Sequence, residues 1–151
     1  MRAVVQRVFR AELYADGEYA ADISRGMAVF IAFSPGDGAD SMEYVIKKIA
    51  GLRIFEDGGG KMNLSVADIS GEILFIPNFT VYGDARRGTR PSFSASAPYD
   101  AAAGMFEDFK GLLPALCPGI KAAFGVFGAD MRIIAENDGP VTVLIDSDRV
   151  F

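Results

Sequence analysis

The chain has 151 residues, half of them hydrophobic and 12 of them Phe, with a formal net charge of −5; it fits one domain, residues 1–151, that buries roughly two-thirds of its unfolded surface. That composition excludes disordered and low-complexity classes, and a lone Cys117 excludes an internal disulfide. With no histidine, the usual zinc and iron ligands and every Ser-His-Asp or Cys-His arrangement are missing, so any catalysis must come from other groups.

Residues 3–8 are largely apolar, and residues 12–15 and 18–23 flank Asp16-Gly17, a strong two-residue hairpin signal. After Arg25-Gly26 the apolar run 27–33 predicts a central strand covered on both faces, ended by the turn Ser34-Pro35-Gly36-Asp37-Gly38. In residues 40–54, Met42, Val45, Ile46, Ile49 and Leu52 recur at spacings of three and four, the pattern of an amphipathic helix. A loop at 56–61 and a strand over 71–79 follow. A second helix is predicted over about 98–116, with Phe106, Phe109 and Leu113 inward and Pro114 as a candidate early stop. Strands at 131–135 and 141–145 close the chain, separated by Glu136-Asn137-Asp138-Gly139-Pro140 as a turn. The fold class that results is mixed α/β: one domain with a β-barrel-like curved sheet and two packed helices. No apolar run approaches the roughly 18 residues of a membrane span, and the first residues lack a signal peptide's apolar stretch, so a cytoplasmic protein with no membrane partner is expected.

Few segments carry chemistry. Gly58-Gly59-Gly60 is followed by Lys61-Met62-Asn63 rather than by the Lys-Ser/Thr ending and helix of a phosphate loop, and reads as a turn. Cys117 ends a helix with no histidine beside it, the setting of a packing cysteine. Asp130 and Asp146 show no paired-carboxylate pattern. In Pro77-Asn78-Phe79-Thr80-Val81-Tyr82 a strand ends with an amide, a ring and a hydroxyl, followed by a loop carrying Arg86, Arg87 and Arg90. On the residues alone two readings stand: backbone N–H groups at a strand end that bind a carbonyl or oxyanion, or an edge strand with a solvated basic loop. Asn137-Asp138-Gly139-Pro140 by itself is an ordinary turn.

Six ordered stretches together resemble the D-aminoacyl-tRNA deacylases, also known as D-tyrosyl-tRNA deacylases: Met1-Arg2-Ala3-Val4-Val5-Gln6-Arg7-Val8, Lys48-Ile49-Ala50-Gly51-Leu52-Arg53-Ile54-Phe55, Gly60-Lys61-Met62-Asn63-Leu64-Ser65, Arg90-Pro91-Ser92-Phe93-Ser94, Phe127-Gly128-Ala129-Asp130-Met131 and Asn137-Asp138-Gly139-Pro140-Val141-Thr142. The resemblance implies a tRNA-binding homodimer that hydrolyses the ester joining a D-amino acid, or glycine, to the 3′ end of tRNA, a proofreading step that needs no cofactor and no metal. It implies that Gly139-Pro140 is cis and enters the partner subunit's site, where its carbonyls exclude an L side chain. It further implies that Arg7 braces that motif, that Asn78 lies against the substrate, and that the backbone of Phe79 and Thr80 holds the substrate and polarises the ester carbonyl. The RNA 2′-hydroxyl then assists the reaction. An older family model makes Thr80 a nucleophile, but nothing near it in sequence would activate the hydroxyl.

The chain departs from the family pattern where Pro77-Asn78-Phe79-Thr80 stands for Ser-Gln-Phe-Thr, and where Val126 replaces an Arg before Phe127. Pro77 has no N–H to donate, and Asn78 is one methylene short of Gln. A paralogue group that removes L-alanine from threonine tRNA shares Pro at position 77, but lacks the Phe and follows a trans Gly-Pro with an aromatic residue; this chain keeps Phe79 and Val141. L-alanyl specificity and a non-catalytic tRNA-binding module are the alternatives to the D-specific enzyme.

Overall fold

The computed structural model describes residues 1–151. In chain order it contains β1 (Arg2–Ala15), β2 (Glu18–Ile23), β3 (Gly26–Ala32), α1 (Ala39–Gly51), β4 (Phe55–Glu56), β5 (Met62–Leu64), β6 (Glu72–Pro77), a 3-10 turn (Phe79–Tyr82), α2 (Tyr99–Leu116), β7 (Lys121–Phe124) and β8 (Met131–Asp146). The main sheet runs β2-β1-β3-β6-β7, with β8 on the other edge of β1. β3, β6 and β7 are parallel to one another, while every pairing of β1 is antiparallel. Both helices pack on one face, and β2 curls over β6 and β7 on the other, giving the curved, barrel-like sheet expected of the sequence.

β3 is buried on both faces, as its unbroken apolar run requires. Met27, Val29 and Ile31 join a core with Val45, Ile49, Phe106 and Phe109 of the helices. Ala28 packs on the opposite side with Leu13, Ile23, Leu74 and Ile76. Phe109 is fully buried and meets the ring of Phe75 edge-on at 5.1 Å, a geometry aromatic quadrupoles favour.

β1 and β8 are each continuous, where the sequence predicted broken pieces. β8 follows β1 along its whole length, so the chain does not reverse at residues 136–140. Instead the ladder bulges. Between the pairs Gln6↔Thr142 and Val8↔Asn137, β1 advances two residues and β8 five (6 to 8 against 137 to 142). The surplus residues of β8 are extruded beside Arg7, and this is the segment that looked like a turn: a bulge and a turn draw on the same Asn, Asp, Gly and Pro residues. A second irregularity between Val8 and Arg10 leaves Phe9 as an extra residue of β1. It resets the inward alternation, so Ala3 and Val5 serve the helix-side core while Val8, Ala11 and Leu13 serve the other. A period of two can change faces only by such an insertion.

Other boundaries shift for local reasons. The strand predicted over 71–79 ends at Pro77, because Asn78 caps a 3-10 turn in place of continuing the ladder. α1 stops at Gly51 and Leu52 is already extended. α2 runs through Pro114 to Leu116, and the Cys117 N–H still reaches the Leu113 carbonyl; so close to the helix end, Pro114 costs one hydrogen bond and does not terminate it. The short strand β7 was not anticipated. Asp16 and Gly17 both have positive φ (50° and 89°), as the predicted β1–β2 hairpin turn demands. No helix is long and apolar enough to cross a membrane.

Gly26 begins β3 hard against β6: a Cβ there would lie 1.8 Å from the Glu72 carbonyl oxygen. Gly26→Ala is expected to destabilise the fold by about 3 kcal/mol, since neither backbone can yield without breaking the parallel register; the urea midpoint measures it, and a shift equivalent to under about 1 kcal/mol would show that the β3–β6 register has slack.

Candidate active site

β3 and β6 end side by side, with Ile31 paired to Pro77. Beyond them opens a cavity of about 710 Å³ lined chiefly by apolar groups, among them Phe79, Phe93, Tyr99, Phe127 and Met131. Its floor comes from the ends of the parallel strands and its walls from the residues before and at the start of α2 and β8. Phe79 is 57 % exposed at the rim and meets Phe93 edge-on at 5.1 Å. Tyr99 meets Phe127 in the same manner at 5.2 Å. A Cβ at residue 128 would lie 2.1 Å from the Tyr99 hydroxyl, so Gly128, at φ +79°, lets the Tyr99 ring close that wall.

The polar groups at the rim are few. The Asn78 N–H donates to the Ile31 carbonyl at 2.7 Å, tying the turn to β3. The Asn78 side-chain oxygen accepts from the Thr80 N–H at 3.1 Å and from the Thr80 hydroxyl at 2.6 Å. Both Thr80 donors are thereby occupied, and by an amide oxygen too weakly basic to take a proton. The first N–H of a helical turn has no partner within the turn, and that of Phe79 has none elsewhere in the fold either. The turn's far end is held by Tyr82, whose ring lies 4.6 Å from the Arg2 guanidinium. Burial pushes its phenol up to about 12, so it stays protonated.

Arg7 and the bulge of β8 form a second constellation. Arg7 is 4 % exposed. Its guanidinium donates to the Asp138 carboxylate at 3.0 Å, to the Asp138 carbonyl at 3.3 Å and to the Ile54 carbonyl at 2.5 Å. The bulge is therefore fixed from both its side chain and its backbone. Gly139-Pro140 follows at once as a cis peptide with Gly139 at φ +129°, and both residues are exposed. Neither they nor Arg7 line the cavity of their own chain. Arg7 pairs with Met27, whereas the cavity lining on β3 begins at Phe30, three residues and about 10 Å further along the strand. The fold thus brings Asn78, Phe79 and Thr80 together, and Arg7, Gly139 and Pro140 together, but keeps the two groups apart.

The remaining sequence candidates fall into structural roles. The Gly59 and Lys61 amides donate to the Asp57 carboxylate, as a turn requires. Burial pushes the Cys117 thiol up, consistent with packing. Asp146 is buried against Arg2 at 2.7 Å, with no Asp130 partner. Phe93, Tyr99 and Phe127 were not foreseen as lining residues; the only hint was the Gly after Phe127, which a close approach of another ring would require.

Comparison with known proteins places these features in a family. A family model described as D-Tyr-tRNA(Tyr) deacylase matches residues 4–146. The protein named D-aminoacyl-tRNA deacylase from Prosthecochloris aestuarii is 48 % identical over 97 % of this chain and 99 % of its own. Its namesake from Anaeromyxobacter dehalogenans is 48 % identical over the full length of both. A solved structure described as c-Myc DNA Unwinding Element Binding Protein superposes with a TM-score of 0.90 at 37 % identity, covering 97 % of this chain and 98 % of that one. A probable eukaryotic D-amino acid tRNA deacylase shares the fold, with a TM-score of 0.77 at 19 % identity over 95 % of this chain and 97 % of that one.

Replacing Arg7 by Leu would strand the Asp138 carboxylate and the Ile54 carbonyl in a buried setting, with an expected loss of roughly 3 kcal/mol in urea unfolding; a loss within about 0.5 kcal/mol would mean that water replaces the guanidinium at no cost.

Proposed function

The chain belongs to the D-aminoacyl-tRNA deacylases and is an ester hydrolase of that family, and we propose that it clears D-amino acids and glycine from tRNA at a site shared between two copies of itself. The observation that carries this reading is the separation of the two constellations: an open cavity with the Phe79 backbone N–H at its rim, and a braced, exposed Gly139-Pro140 bulge that stands away from the cavity of its own chain. Each supplies what the other lacks. β8 also leaves one edge unpaired along its length, and its Ile134 and Leu144 are 46 % and 54 % exposed; a second copy would cover such a strand.

In this reading the Phe79 N–H donates to the ester carbonyl and strengthens that bond as negative charge develops on the oxygen, a contribution typically worth about 10²–10³ in rate. Water adds to the carbonyl carbon, and the tetrahedral intermediate expels the ribose 3′-oxygen. The vicinal 2′-hydroxyl passes the water's proton to that leaving oxygen, so no side-chain base is required. Thr80 does not act as nucleophile, since its hydroxyl is hydrogen-bonded to Asn78 and no base is placed to deprotonate it. The carbonyls of the partner's bulge face the α-carbon of the bound amino acid and clash with an L side chain, a rejection by sterics. Glycine has no Cβ to reject and is hydrolysed as well.

Hydrolysis of D-aminoacyl-, glycyl- and L-alanyl-tRNA by the purified protein tests the reading. The first two are expected to be cleaved and the third spared. Preferential cleavage of L-alanyl-tRNA would assign the chain to the specificity that its Pro77 shares, and cleavage of none would leave a tRNA-binding module. Thr80→Ala is expected to retain activity within about tenfold of the parent, whereas a catalytic nucleophile would cost several orders of magnitude. Arg7→Lys keeps the charge but loses the fork that grips one carboxylate oxygen and the backbone carbonyl of Asp138; the expected result is a fall in the D-to-L rate ratio of at least about tenfold. An unchanged ratio, or a monomer at assay concentration, would overturn the shared-site filter.

A further inference from the structure

Residues 84–92 form a small closed loop beside the cavity. The Asp84 and Ser92 backbones exchange hydrogen bonds of 2.8 and 2.9 Å across its neck, and the next residue, Phe93, is the one that packs against Phe79. The loop is thus docked to the rim, and Arg90 lies within about 11 Å of Phe93 along the chain.

Its three arginines are not equivalent. Arg86 grips Asp84 with two hydrogen bonds of 2.9 and 2.7 Å. The guanidinium holds the Asp84 carboxyl well below its ordinary range, so this pair is internally neutral. Arg87 and Arg90 are exposed and have no carboxylate partner, and Gly88 between them takes φ +86°. Two uncompensated cations therefore stand on a loop that joins the cavity rim through Phe93, in a chain of net charge −5. The nearby helix α2 carries the opposite sign: Asp100, Glu107 and Asp108 are exposed on it, and only Glu107 is paired, with Lys110. A polyanion reaching this cavity is repelled from α2 and attracted by the loop.

We propose that Arg87 and Arg90 are the phosphate contact that seats the acceptor end of tRNA at the cavity mouth. This rests on the deacylase reading above and gives the loop the part of positioning the RNA backbone, separate from the ester chemistry at Phe79.

The test compares Arg87→Ala/Arg90→Ala with the parent on D-aminoacyl-tRNA and on the same D-amino acid esterified to adenosine alone, which has no phosphate. On tRNA, kcat/KM is expected to fall roughly tenfold at low salt, mostly through KM, and the slope of its logarithm against log salt to flatten by about 1 to 2. The fall on the adenosine ester should be several-fold smaller, and Arg87→Lys/Arg90→Lys should recover most of the loss. Equal losses on both substrates would overturn the proposal, showing that the loop acts by holding Phe93 in place. So would an unchanged salt slope on tRNA. If the parent protein cleaves neither ester, the deacylase reading fails by itself. The loop is then judged by the salt-dependent Kd for uncharged tRNA, which the Ala variant must weaken for the proposal to stand.

Discussion

A guanidinium taken out of water must find an acceptor for each face of its fork, and Arg7 finds them in Asp138 and in the Ile54 carbonyl. That one requirement links three parts of the molecule: β1, the bulge of β8, and the segment between α1 and β4. The bulge could not be held by the ladder, because its residues have left it. Without the arginine they would form a loop whose carbonyls point wherever solvent allowed. With it, Gly139 and Pro140 present their backbone on a rigid mount, which a steric filter needs.

The same corner of β1 organises the two cores. The extra residue at Phe9 lets one strand serve both, so Val5 packs under the helices while Ala11 and Leu13 pack under the curled β2. Arg7 sits just before this change of face. The sheet curls where β1 changes sides, and the ends of β3 and β6 are left open as the cavity.

What the cavity offers is mostly shape and backbone. Its aromatic wall, a free amide at Phe79 and an exposed basic loop are suited to a large substrate held at several points, with the reacting bond at one end. Asn78 is the instructive departure from the family pattern. One methylene shorter than Gln, its oxygen reaches back to Thr80 and caps the turn. The substitution thus has a local structural role, and it takes the Thr80 donors out of play in the free protein.

Much of this was legible in the residues. The period of Met42, Val45, Ile46 and Ile49, the unbroken run of β3 and the Asp16-Gly17 hairpin are local patterns whose physics acts over a few residues, and they placed the helices, the central strand and the first turn correctly. The missing histidine already excluded the usual side-chain bases, and six ordered stretches together, that around Gly139-Pro140 among them, pointed to the family. Tertiary structure decided whatever depends on pairing across distance. Asn137 to Pro140 has the composition of a turn, and only the register of β8 against β1 makes it a bulge. Arg86, Arg87 and Arg90 look alike in sequence, and only the fold of their loop neutralises the first and leaves the other two free. Local propensity is set by neighbours in the chain, whereas the bulge is set by the register of β8 on β1, more than a hundred positions away, and even the Arg86–Asp84 pair, two residues apart, depends on the folded shape of its loop.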